Sequence, residues 1–143
     1  MNSESFSKVE AFREIILLKM KKESKKSNLL CYNKIILKEL PEHLKTDYAL
    51  IIQYDGFVIN PNRWSDFFFN FDYIGAPWPA GEVFGREAIV GNGGFSLRSK
   101  KIMECYVKYL PSHDFTFPED AMVCRILRPS LEEIDNVVFA PVE

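Results

Sequence analysis

Apolar residues recur at three- and four-residue spacing from Ser3 to Lys22 (Phe6, Val9, Phe12, Ile16, Met20), which predicts an amphipathic helix. A second helix is expected from a cap at Asn28 to about Leu40, with Leu29, Tyr32, Ile36 and Leu40 on one face and Pro41 as its stop. The period then changes. Tyr48-Ala49-Leu50-Ile51-Ile52 is an unbroken apolar run, too short for an ordinary helix, and predicts a strand buried on both faces. Polar groups follow at once in Gln53-Tyr54-Asp55-Gly56, at the strand's carboxyl end, where open α/β sheets bind their ligands. Asp55-Gly56 between apolar runs is also a hairpin signal, because a tight type I′ turn needs positive φ at both central residues. Taken alone, that is the stronger reading.

Asn60-Pro61-Asn62 marks a turn, and Asn62 is placed to cap a short helix through Trp64, Phe67 and Phe68. Phe71 to Gly75 reads as a short strand. It runs into Ala76-Pro77-Trp78-Pro79, which cannot continue a central strand. Trp78 is either core filler in a rigid loop or an aromatic platform beside a pocket, and the two readings weigh equally. A loop is expected from Ala80 to Ala88. Gly91-Asn92-Gly93-Gly94 lets backbone approach a ligand closely, or is a plain turn. Phe95 and Leu97 then alternate with Ser96 and Arg98, as in a half-buried strand with one polar face. Ser99 caps the next helix, in which Ile102, Tyr106 and Leu110 share a face with Met103 and Val107 beside them. Pro111 closes it. Thr116-Phe117-Pro118-Glu119 before an apolar run is a capping box, with the Glu119 carboxylate on the backbone of Thr116 and Asp120 favouring the helix dipole. Asn136 to Ala140 is a last short strand.

Composition narrows the classes. A hydrophobic fraction of 47% and an aromatic fraction of 14% over 143 residues describe one folded domain and not a disordered chain. A net charge of −2 gives no electrostatic case for nucleic acid. The basic cluster Lys19 to Lys26 reads as a solvated helix end, and His43 as a surface residue. Cys31, Cys105 and Cys124 are far apart and odd in number, which suits a reduced compartment. With no apolar run of membrane-spanning length and no signal-peptide pattern, the expected location is cytoplasmic.

Gln53-Tyr54-Asp55, the string from Asp72 to Trp78, the string from Gly91 to Arg98, and Pro118-Glu119-Asp120 form an ordered series. That series resembles a domain family of unknown function regarded as glycosyltransferase-like, of the GT-A type. The resemblance covers about residues 30–143 and includes Tyr32-Asn33. It implies an α/β fold, a mixed sheet flanked by helices like the core of a GT-A domain. Residues 1–46 form its helical part and 47–143 its sheet-containing, catalytic-like part. The implied function is sugar transfer from a nucleotide-sugar donor to a hydroxyl acceptor such as a glycan. Asp55, with Gln53 where the family has a first Asp, would hold Mn²⁺ or Mg²⁺ and the donor diphosphate. Asn92, Gly93 and Gly94 would line the sugar pocket with Trp78, and Glu119 or Asp120 would be the general base. Nothing before Tyr48 resembles the family's nucleotide-binding βαβ unit. A partner half carrying that unit is therefore expected, or else a truncated, non-catalytic binding module.

Overall fold

The computed structural model describes residues 25–80, 87–110 and 117–142. The helix expected over Ser3 to Lys22, most of the basic cluster, much of the loop after Ala80, and Pro111 and Thr116 lie outside them.

Helix α1 (Lys25–Lys34) begins ahead of Asn28, so Asn28 is inside the helix and not its cap. The helix also passes its expected stop. It widens into a π turn over Ile35–Glu39, with the Leu40 N–H bonded back to the Ile35 carbonyl, and continues as α2 (Leu40–His43). Proline has no N–H and its ring crowds the carbonyl one turn back. A locally widened turn just ahead of Pro41 is a known way for a helix to absorb that misfit.

Strand β1 (Tyr48–Ile52) pairs antiparallel with β5 (Phe95–Ser99), which pairs antiparallel with β2 (Tyr73–Gly75), in the order β1-β5-β2. A single parallel bridge joins Tyr73 to Phe139, in place of the longer strand expected at Asn136 to Ala140. A two-stranded ribbon, β3 (Pro77–Trp78) with β4 (Ile89–Val90), stands beside the sheet. The fold is thus mixed α/β, with a small antiparallel sheet and helices. No helix among the described residues is long and apolar enough to cross a membrane.

β1 is an edge strand, half-buried from Tyr48 to Ile51 and exposed at Ile52, and not one covered on both faces. Its register explains what lies open. Lys100 donates its N–H to the Asp47 carbonyl and Gln53 donates to Gly94, both at 2.7 Å. With a period of two, the backbone groups of Leu50 and Ile52 therefore point away from β5, and among the described residues no strand takes them up.

Residues opposite one another in a ladder share a face. Ala49 opposes Arg98 and Ile51 opposes Ser96, so these four face the helices, together with Tyr73. Leu97 and Phe95 lie on the other side with Leu50 and Ile52. The alternation read from β5 is correct, but its polar face points inward.

Helix α3 (Lys100–Val107) begins as expected, with Ser99 Oγ accepting the Ile102 N–H at 3.1 Å. Ile102, Met103 and Tyr106 are fully buried in the core, whereas Val107 is exposed. Helix α4 (Glu119–Ala121) passes through a second π turn, Met122–Ile126, into α5 (Arg128–Glu133). The single helix expected after Asn62 is two 3₁₀ turns, Pro61–Arg63 and Asp66–Asn70, capped by Asn60 and Ser65. Asn60 and Ser65 are the extended residues whose side chains reach an N–H two positions on, which is the geometry a cap needs. These turns set Trp64 edge-on to Phe68 and Phe69, and Phe69 against Tyr48 at 4.8 Å between ring centroids.

Candidate functional site

The end of β1, the glycine-rich turn before β5 and the start of α4 meet at one place. The Gln53 backbone bonds Gly94, and the Gln53 amide oxygen lies so close that a Cβ on Gly94 would stand 2.7 Å from it. Asn92 Oδ1 accepts the Gly94 N–H at 3.0 Å, a local turn closure typical of Asn. The Gly93 N–H donates to Asp120 Oδ2 at 2.9 Å, and Ser96 Oγ donates to the Gly93 carbonyl at 3.0 Å. The turn is thus pinned by its own strand on one side and by a helix start 27 residues on.

Beneath it lies a buried ion pair. Arg98 is 0% exposed and Glu119 2% exposed. The guanidinium grips the carboxylate with both ends, Nη1 to Oε2 at 2.7 Å and Nη2 to Oε1 at 2.8 Å. Arg98 Nε donates to Ser96 Oγ at 3.0 Å, and the cation lies 4.9 Å from the centre of the Tyr73 ring. Burial works against the charge of Arg98, but Glu119 together with Tyr73 and Tyr106 more than offsets it, and the guanidinium is held well above its ordinary pKa. The Tyr73 hydroxyl in turn donates to the Gly91 carbonyl at 2.6 Å.

This decides what Glu119 can do. Both its oxygens accept from Arg98 inside the core, so its carboxylate is committed to that cation, while Thr116, the other half of the expected capping box, lies outside the described residues. The residue at the N-cap position of α4, Pro118, makes no side-chain cap bond. A buried guanidinium demands a paired, hydrogen-bonded anion, and that demand outranks a local cap. Asp120 is the more available of the acidic pair. It is half-buried, its Oδ1 accepting the Ala121 N–H at 2.8 Å and its Oδ2 the Gly93 N–H. Each oxygen keeps a second lone pair.

The other expected residues sit around this centre. Asp55 is exposed in a turn closed by the Gly56 N–H on the Gln53 carbonyl at 3.0 Å. The hairpin reading fails here, because β1 pairs with β5 and the chain leaves through exposed Phe57, Val58 and Ile59. Asp55 also lacks the positive φ that a type I′ turn requires, Asn136 being the one such non-glycine residue described. Trp78 backs the turn from behind: a Cβ on Gly91 would lie 2.2 Å from its indole ring, and Arg125 stands 5.9 Å from the ring centre. Arg98, Ser96 and Tyr73 are the site residues that sequence reasoning missed, since only the strand register turns them inward.

Among the described residues no three His, Cys, Asp or Glu side chains gather as a metal cage. The Asp55 carboxylate and the Gln53 amide oxygen are hard-cation ligands by type, and two such groups alone make no complete cage. The thiols offer no alternative nucleophile in the core, since burial pushes Cys124 up to about 12 and Cys105 above its ordinary value.

Gly93 admits no side chain, because a Cβ there would stand 2.1 Å from Glu119 Oε1 and 2.7 Å from Arg98 Nη2. Gly93→Ala should lower the unfolding free energy by about 1–3 kcal/mol, the usual range for overpacking. Urea unfolding with an unchanged midpoint would show that the turn can shift aside.

No curated protein and no solved structure matches the chain. Residues 10–137 match the sequence profile of a family described as protein of unknown function, DUF5672, and the chain belongs to that family.

Proposed function

We propose that this chain carries the sugar- and acceptor-facing part of a glycosyltransferase site of the GT-A type. The observation behind this reading is the convergence of Gln53, the Asn92–Gly94 turn and Asp120 on one rim. Asp120 takes the proton from the acceptor hydroxyl as that oxygen bonds the donor's anomeric carbon. The bond from that carbon to the diphosphate breaks, and the nucleoside diphosphate leaves with the electron pair. Glu119 does not touch substrate in this scheme. It keeps Arg98 charged and thereby holds Ser96 and the Gly93 turn in place. Asp55 and Gln53 would hold Mn²⁺ or Mg²⁺ with the donor phosphates, and the cation's chemistry there is to neutralise the leaving diphosphate. The nucleotide would be gripped by a further half, for which the open edge of β1 offers backbone hydrogen-bonding groups.

A donor-hydrolysis screen across nucleotide sugars with Mn²⁺, on this chain and on one extended upstream, tests the reading. Release of nucleoside diphosphate from one donor supports it, and silence across the panel in both proteins rejects it. Asp55→Asn should weaken binding of Mn²⁺ with nucleoside diphosphate by about tenfold or more at unchanged melting temperature, since the carboxylate is exposed. Equal calorimetric affinity of both forms would make Asp55 a turn residue.

A second reading has its own support. Both Glu119 oxygens and both Asp120 oxygens already accept hydrogen bonds within the protein, as suits a non-catalytic binding module of the same fold. Donor binding without hydrolysis or transfer would favour it.

A further inference from the structure

The outer edge of β1 is taken up by no strand among the described residues, and it carries none of the usual guards. Natural edge strands resist stray pairing with a lysine, a proline, a bulge or very short length. Tyr48-Ala49-Leu50-Ile51-Ile52 has no charge, no proline and no glycine, and its ladder with β5 runs unbroken. The two-residue period that turns Leu50 and Ile52 outward turns Tyr48 outward as well. The Tyr48 carbonyl accepts from Thr46 Oγ1 at 2.7 Å, and a carbonyl can take a second bond. Apolar surface runs on from the strand's end. Ile52 is 47% exposed, Phe57 74% and Ile59 95%, and Phe95 adjoins them: a Cβ on Gly56 would lie 3.1 Å from Phe95 and 3.5 Å from Ile52. Large side chains offer about 150–250 Å² each, so this border holds roughly the 800 Å² per copy that a standard interface takes.

We propose that the occupant of this edge is a second copy of the chain, its β1 antiparallel to the first about a two-fold axis at Leu50. A two-fold contact requires a surface that complements itself, and β1 does so in this register. Leu50 of each copy exchanges backbone bonds with Leu50 of the other, and Tyr48 with Ile52, so every outward group of the strand is paired. The Ile52 side chain is covered by the Tyr48 ring, an aromatic and β-branched pair, and Ala49 meets Ile51. Carried past the strand, the same register sets Asp47 across from uncharged Gln53, and Lys45 at the turn that holds Asp55. Opposite charges meet and like charges do not. Because the pleat repeats every two residues, the nearest other registers set Asp47 against Asp55 or Ile52 against Thr46. The three-stranded sheet doubles, with the helices of both copies on one side. The pairing itself needs no substrate and goes beyond the glycosyltransferase reading. One consequence rests on that reading: the second copy is the further half at the β1 edge, and its Lys45 adds a cation where Asp55 would meet metal and diphosphate.

Sedimentation equilibrium of the full chain should show monomer and dimer in exchange. Ile52→Pro removes an outward N–H at the exposed end of an edge strand, where proline is tolerated, and should raise the dimer Kd about tenfold or more. Lys45→Glu should weaken the dimer too, and adding Asp55→Lys to it should bring the Kd back. Leu50→Cys tests the register directly. Residues facing each other in a bonded antiparallel pair have Cα atoms about 5.5 Å apart, within disulfide reach, so mild oxidation should give a covalent dimer. Ile126→Cys, exposed on the second π turn, should not cross-link at the same rate. Wild-type protein that is monomeric at every concentration overturns the proposal. So does a dimer that Leu50→Cys fails to cross-link, or one whose Kd is unmoved in a folded Ile52→Pro variant. Should Ile52→Pro not fold, the cross-link alone decides. An unmoved Kd after Lys45→Glu removes the lysine from the shared site. No arm uses a nucleotide sugar: a dimer without donor hydrolysis discards the transferase alone, and hydrolysis by a monomer discards the second copy alone.

Discussion

Glu119→Gln should lower the free energy of unfolding by about 3–5 kcal/mol, the range found when one partner of a buried pair is removed. Whole-domain stability is only about 5–15 kcal/mol, so the effect is severe. Arg98 is fully buried and both Glu119 oxygens hold it. An amide of the same shape leaves that cation short of an anion. A capping-box role would make the same change nearly silent, since Gln also serves at that position. Urea unfolding should show a lower midpoint with an unchanged slope. Arg98→Met combined with Glu119→Leu should recover most of the loss, because an apolar replacement leaves no charge to solvate. A single variant within about 0.5 kcal/mol of wild type, as for an ordinary surface change, would mean that Arg98 is not dependent on Glu119.

Asp120→Asn should reduce sugar transfer by about 10²–10⁴-fold, the usual contribution of a positioned general base. Its effect on folding should be small. The Asn oxygen can still accept one of the two N–H groups that Asp120 holds, and the lost helix-dipole interaction is about 0.3–1 kcal/mol. Single-turnover transfer beside a melting curve separates the two effects. Transfer above a tenth of the wild-type rate would place the base elsewhere. The contrast between neighbours is what matters: one position is expected to govern folding and the next to govern rate.

The elements that sequence made legible are those set by near neighbours. The apolar run at β1, the strand into Gly75, the alternation of β5 and the Ser99 cap all rest on residues within a few positions of one another. What stayed hidden is set across the fold. An unbroken apolar run looks the same in a covered strand and in an edge strand, so the open side of β1 could not be read from it. Alternation tells that Ser96 and Arg98 share a face, but not which face. The register against Ala49 and Ile51 decides that. Glu119 matched a capping pattern in its own segment, while its partner lies 21 residues back on another element. Gln53, the Gly93 turn and Asp120 lie together in the fold, and the ion pair beneath them was not legible from any one segment.

The tight seats of Gly91 and Gly93, one against the Trp78 ring and the other against Glu119 and Arg98, bear on how this stretch tolerates mutational drift. Any single-base change that replaces a glycine by another amino acid adds at least a Cβ, and neither position has room for one. Selection for folding alone would therefore preserve the string, even in a descendant that had lost all chemistry. A relative that keeps Gly-Asn-Gly-Gly has kept the fold. On the proposed function, whether it has kept an activity is told by the rim, by Asp55 and Asp120, where side chains can change and the protein still stands.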